Sequence, residues 1–78
     1  MAANDLVAVV GQIMEIPPDR VTDDVGPATS GQWTSLKHIQ LVAAVEDAYD
    51  VRLTPREIRS IRTVGQLRGI LASKGVVT

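Results

Sequence analysis

Ser35 and His38, the chain's only histidine, stand three residues apart. On a helix that spacing puts both side chains on one face, the pairing a hydroxyl nucleophile and its general base require. The pairing lacks its third part. No carboxylate is spaced to orient the ring, and there is no second histidine to share a metal, so His38 reads instead as a packing residue facing a loop. With no cysteine, the chain offers neither a thiolate nucleophile nor a thiolate metal site, and any sulfur chemistry must be imported. The carboxylates are scattered through a loop and helix surfaces, and no glycine-rich phosphate cradle is present, so a free-standing enzyme is not expected. What remains is a hydroxyl pair, Thr34 and Ser35, at a helix start, where either would ordinarily serve as an N-cap. Trp33 beside them reads as a plug over the loop.

The formal charge of −1 conceals an asymmetry. Up to Thr34 the chain carries Asp5, Glu15, Asp19, Asp23 and Asp24 against Arg20 alone, whereas the remainder is net basic. Arg56, Arg59, Arg62 and Arg68, expected on two short consecutive helices, raise the alternative of a helical nucleic-acid-binding module. Overall acidity argues against it, so no nucleic-acid partner is expected. A chain of 78 residues supports one core, and residues 1–78 are read as a single domain. The longest apolar run, residues 41–45, is far too short for a bilayer, and no charged leader precedes an apolar segment. These features imply a cytoplasmic protein without a membrane partner. A monomer is expected, because no exposed apolar stripe is evident.

Four helices and one long loop must position the hydroxyls. Leu6, Val9, Val10 and Ile13 recur at helical spacing after Asn4, a candidate N-cap, and Pro17 and Pro18 forbid continuation, so a first helix ends near Glu15. Gly11 within it costs about 1 kcal/mol relative to Ala. Residues 17–33 hold three prolines and two glycines, too long a connection to be incidental; Val21 and Val25 are pegs that fasten it to the core as an ordered loop. Residues 35–49 contain no Gly or Pro and carry Leu36, Ile39, Leu41, Val42, Ala43, Ala44, Val45 and Ala48, the broad apolar arc of a central helix. Its solvent side is marked by Lys37, Gln40, Glu46 and Asp47, and a turn at residues 50–53 closes it. Thr54, Pro55 and Glu57 combine a capping threonine, proline at the first helical position and a capping-box glutamate. Ile58 and Ile61 supply that short helix's inner face. Thr63 and Gln66 repeat the box for a final helix with Val64, Leu67, Ile70 and Leu71 inward and Gly75 as its stop.

With these elements in place, the stretch Trp33-Thr34-Ser35-Leu36-Lys37-His38-Ile39-Gln40-Leu41, then Val45-Glu46-Asp47-Ala48-Tyr49-Asp50-Val51 and Leu53-Thr54, resembles acyl and peptidyl carrier proteins of fatty-acid, polyketide and nonribosomal-peptide biosynthesis. Those proteins carry an Asp-Ser-Leu core in the same setting. The loop residues Val21-Thr22-Asp23-Asp24 and the closing Thr63-Val64-Gly65-Gln66-Leu67 match in type and spacing too. Trp before the tripeptide is similar to discrete carriers of natural-product pathways.

The resemblance implies an all-α, four-helix bundle of the acyl-carrier type, with three longer helices, one short helix and a long ordered loop between the first two. It implies that Ser35 bears 4'-phosphopantetheine, a covalent cofactor taken from coenzyme A whose thiol holds acyl or aminoacyl groups as thioesters. The implied partners are a phosphopantetheinyl transferase, an acyl- or aminoacyl-loading enzyme and a downstream synthase or transferase, the chain itself being non-catalytic. Two departures stand out. Thr34 replaces the usual aspartate, removing a negative charge from the face a transferase approaches. The central helix is less acidic than is common among carriers, so partner binding is expected to rest mainly on Leu36, with Thr34, Glu46 and Asp47 around it; core packing is the competing role for Leu36. A carrier-like adaptor that takes no cofactor is the remaining alternative.

Overall fold

Where three of the four helices stop, the backbone turns back on itself in the same way. The computed structural model describes residues 6–76, and its helices are α1 (Leu6–Met14), α2 (Ser35–Tyr49), α3 (Pro55–Ser60) and α4 (Val64–Ser73). After α1, Glu15 adopts a left-handed φ of 58° and the Ile16 amide donates to the Gly11 carbonyl; after α2, Asp50 does so at φ 54° and Val51 donates to Glu46. After α4, Gly75 takes φ 82° and Val76 donates to Leu71. Each closure satisfies a carbonyl that the helix would leave unpaired and reverses the chain sharply. Gly11 is fixed by the first of them, since a Cβ there would lie 2.7 Å from the Ile16 carbonyl oxygen. The N-cap expected at Asn4 lies outside the described residues.

The architecture is the expected all-α bundle of four helices, with no strand among the described residues. Its core is aliphatic: Leu6, Val10 and Met14 from α1, Leu41 and Val45 from α2, and Val64, Leu67 and Leu71 from α4 are all essentially inaccessible. Burial of side chains of this size stabilises by about 1.5–3 kcal/mol each before the entropy of ordering is counted. Met14 joins this face one turn beyond Val10. Ile13 and Ile70, expected inward, are only half-buried. Ile58 is half-buried as well, and Ile61 is buried but lies just past α3, as its C-cap.

The caps of α3 and α4 differ. Thr54 and Glu57 form the full capping box, Thr54 Oγ1 accepting from the Glu57 amide at 3.1 Å and Glu57 Oε1 from the Thr54 amide at 2.9 Å. At α4, Thr63 Oγ1 accepts from Gln66 as expected, but the Gln66 side chain accepts from the Arg62 amide at 2.7 Å instead of closing on Thr63. Thr63 is itself extended, at φ −150° and ψ 162°.

The loop is ordered by the end of α4 it crosses. Val64 and Gly65, the first two residues of that helix, donate their amides to the carbonyls of Val25 (2.8 Å) and Asp23 (2.9 Å), so the loop satisfies donors the helix leaves open. Gly26 sits where no side chain fits, a Cβ there falling 1.9 Å from the Arg62 carbonyl oxygen. Val21 is buried and Val25 packs against the core, as pegs should. A short 3₁₀ turn, Pro18–Arg20, starts the loop; the two prolines obscured it in the sequence by reading only as a helix stop.

Candidate functional site

At the entry to α2 the two adjacent hydroxyls have different occupations. Thr34 is the N-cap, with extended backbone and Oγ1 accepting from the Lys37 amide at 3.2 Å. Ser35 is the first helical residue; it is exposed, and its hydroxyl makes no hydrogen bond among the described residues. The capping role that either residue could have filled therefore falls to Thr34, which leaves the serine oxygen free and facing water. The Ser35 and Leu36 amides open toward the same side, at the positive end of a 15-residue helix.

Beneath the serine a side-chain chain locks loop, α2 and α3 together. The buried Trp33 indole Nε1 donates to His38 Nδ1 at 2.8 Å, and His38 Nε2 lies 2.9 Å from the Ile58 carbonyl oxygen. An indole N–H can only donate, so Nδ1 accepts and the neutral ring donates from Nε2 to Ile58. With both nitrogens committed, His38 is the packing residue the sequence suggested, and Trp33 is the plug. Lys37 ties the first turn of α2 to the end of α1 through Glu15, 2.5 Å away, and that bond and the ammonium charge hold the Glu15 carboxyl below its ordinary range.

Leu36 and Ile39 correct the expected apolar arc. Core packing is ruled out for Leu36, which is 67% exposed, and Ile39 is 60% exposed; only Leu41, Val42 and Val45 of α2 are buried. At 100° per residue Leu36, Ile39, Ala43 and Asp47 fall along one outward stripe, opposite Leu41 and Val45. An exposed apolar pair thus exists where none was evident from the sequence. Asp47 is exposed at the far end of the stripe, whereas Glu46 is half-buried and one of its carboxylate oxygens accepts from the Leu53 amide at 2.9 Å. Glu46 therefore also closes the α2–α3 connection.

An open groove of about 340 Å³ adjoins the hydroxyl, lined by Pro27, Trp33, Thr34, Ser35, His38, Ile39, Ile58 and Arg59 and mostly apolar. A second, polar hollow lies at the other end of α2, beside Glu46, Asp47 and Asp50. Twelve residues of helix rise, about 18 Å, separate Asp47 from Ser35, so that hollow does not share the site. The arginines expected on consecutive helices are dispersed. Arg56 and Arg59 lie on α3, Arg62 in the connection, and Arg68 pairs with Asp23 at 3.4 Å. No group of three potential metal ligands occurs among the described residues.

An exposed, unengaged serine oxygen at a helix start, free amides around it and an apolar groove beside it suit a covalently attached, phosphate-linked group. The comparison with protein families agrees with that chemistry: the family model described as a phosphopantetheine attachment site matches residues 4–71.

Proposed function

Because the chain belongs to the phosphopantetheine-attachment family of carrier proteins, and so is a carrier of covalent 4'-phosphopantetheine, we propose that Ser35 is the residue that bears the arm and that the chain presents acyl or aminoacyl thioesters to biosynthetic enzymes. The observation that carries this reading is the division of labour at residues 34 and 35. Thr34 supplies the cap, so esterifying Ser35 Oγ removes no hydrogen bond that the fold uses. When bound, the arm supplies the thiol that a cysteine-free chain lacks.

The rest falls to this chain's own groups. Ser35 Oγ would bond to the pantetheine-side phosphorus of coenzyme A as the pyrophosphate P–O bond breaks and adenosine 3',5'-bisphosphate leaves. The base that takes its proton comes from the transferase, since both nitrogens of the only histidine are already bonded. The Ser35 and Leu36 amides, with the dipole of α2, favour the phosphate's charge. Leu36 and Ile39 form the apolar contact for the transferase, the loading enzyme and the downstream synthase, with Thr34 at one margin and Asp47, backed by Glu46, at the other. We read the chain as a monomeric cytoplasmic carrier of one domain without catalysis of its own. No described helix is long and apolar enough to cross a membrane.

The test is intact-mass measurement after incubation with coenzyme A and a promiscuous phosphopantetheinyl transferase. The wild-type chain gains one arm and Ser35→Ala gains none. A mass gain in a folded Ser35→Ala chain would place attachment elsewhere.

A further inference from the structure

Seven of the chain's eight lysines and arginines follow residue 34. Three of them have an acid as partner: Lys37 pairs with Glu15, Arg68 with Asp23 and Lys74 with Glu57. Arg52 shares the polar hollow of Asp47 and Asp50 at the far end of α2. Arg56, Arg59 and Arg62 are different. All three are exposed, and their guanidinium groups make no ion pair or hydrogen bond among the described residues. Arg56 and Arg59 stand one turn apart on α3, and Arg59 lines the groove beside Ser35. Arg62 follows the C-cap of α3, and its carbonyl packs against Gly26, the neighbour of Pro27 in the same groove. No negative charge answers this edge from the start of α2, whose residues 35–45 hold no carboxylate. What α2 presents there is apolar: Leu36 and Ile39 are exposed, and Ile39 lines the groove together with Arg59.

We propose that the arginine edge of α3 and the Leu36 and Ile39 pair form one docking surface, and that its occupant is an enzyme serving the arm whose own surface is an apolar patch bordered by carboxylates. The proposal rests on attachment at Ser35. Like charges crowded within two turns and left unpaired add nothing to the fold, whereas they reinforce one another in attracting an anionic surface. Arginine suits that role, since its planar fork meets both oxygens of a carboxylate at once. An apolar centre with a charged margin divides the work as interfaces do: Leu36 and Ile39 supply the desolvated contact, and the arginines set encounter rate and partner choice by repelling an enzyme with a basic face. A protein fits this surface better than a nucleic acid. A phosphate backbone would answer the arginines but leave Leu36 and Ile39 against water, and a chain of net charge −1 offers a polyanion little else.

The experiment titrates the holo full chain, with attachment verified first by mass, with two synthetic helical peptides that share a leucine stripe and border it with glutamates in one and lysines in the other. Calorimetry measures affinity and nitrogen-15 spectra locate the contact. The glutamate peptide should bind about tenfold more tightly and lose that advantage as salt is raised. It should shift the Nε signals of Arg56, Arg59 and Arg62 together with the Leu36 and Ile39 amides. Arg56→Gln and Arg59→Gln, at exposed positions, should each weaken binding about two- to fivefold, the range an exposed ion pair supplies. The double variant Arg56→Glu, Arg59→Glu, with folding verified by circular dichroism, should turn the preference toward the lysine peptide. Equal affinity for the two peptides, or shifts at Leu36 and Ile39 without the arginines, overturns the acidic partner while leaving attachment intact. Tighter binding of a DNA duplex than of the glutamate peptide at physiological salt overturns it in favour of a nucleic-acid surface. A chain that gains no mass at Ser35 overturns attachment and this docking surface with it.

Discussion

Thr34→Val and Ser35→Ala delete neighbouring hydroxyls and should behave as opposites in stability. Thr34 Oγ1 is the acceptor for the Lys37 amide, at 3.2 Å, near the long end of the hydrogen-bond range. Loss of an N-cap acceptor costs about 0.5–2 kcal/mol, and the long, exposed bond places this one near 1 kcal/mol. In a domain of this size that lowers the melting temperature by about 4–8 °C. The Ser35 hydroxyl bonds to nothing among the described residues and faces water, and alanine is a good helix former, so its loss should change stability by no more than about 0.5 kcal/mol. Thr34→Asp, which keeps a capping oxygen and adds charge at the favourable helix end, should hold wild-type stability or exceed it. Urea and thermal unfolding followed by circular dichroism measure all three. If Ser35→Ala proves the more destabilised of the pair, or Thr34→Val melts with the wild type, the assignment of the cap to Thr34 and of a free oxygen to Ser35 is wrong.

Gly26→Ala drives a methyl group into the Arg62 carbonyl oxygen and should destabilise by about 1–3 kcal/mol, with hydrogen exchange at the Val64 and Gly65 amides accelerating as the loop lifts; unchanged protection there would show that the loop does not depend on this contact. Thr34→Asp should speed modification several-fold in a salt-sensitive way, and an unchanged rate would mean the transferase does not sense that charge. Leu36→Ala should leave melting unchanged, since the side chain is exposed, yet weaken partner binding about 5- to 30-fold in a calorimetric titration; intact affinity for every partner would remove it from the docking face. The Glu57 carboxyl is held below its ordinary value by the Thr54 amide and then by Lys74. Its contribution is therefore full at neutral pH and is lost as pH falls below the usual glutamate range, about pH 4. Glu57→Gln, which keeps the capping oxygen without the charge, should flatten that part of the acid unfolding curve.

Much of the fold was legible because its signals are local. Residues 35–49 lack any breaker and form α2 to the residue, and Thr54, Pro55 and Glu57 act within one turn. Tertiary contacts decide the rest. An apolar arc does not reveal which of its sides meets the bundle, so in the sequence Leu36 and Ile39 read alike with Leu41 and Val45; the signal that separates them is the stripe ending in a charge, Leu36, Ile39, Ala43 and Asp47. Nor could spacing alone choose between Thr34 and Ser35 as the cap, a choice that turns on where the helix backbone begins. The seat of Gly26 under Arg62 joins residues 36 apart in the chain and leaves no trace in local pattern. Arg59 belongs to the groove only because Trp33, His38 and Ile58 draw α3 alongside the start of α2.

Attachment of the arm comes down to the chemical identity of one oxygen. Trypsin cuts after Arg20 and Lys37, so residues 21–37 form one peptide holding both Ser30 and Ser35. Fragmentation of that peptide from the enzymatically loaded protein should place the full phosphopantetheine mass on Ser35. The same mass on Ser30 or on any other residue, or its absence under conditions that load a control carrier, would refute attachment at Ser35.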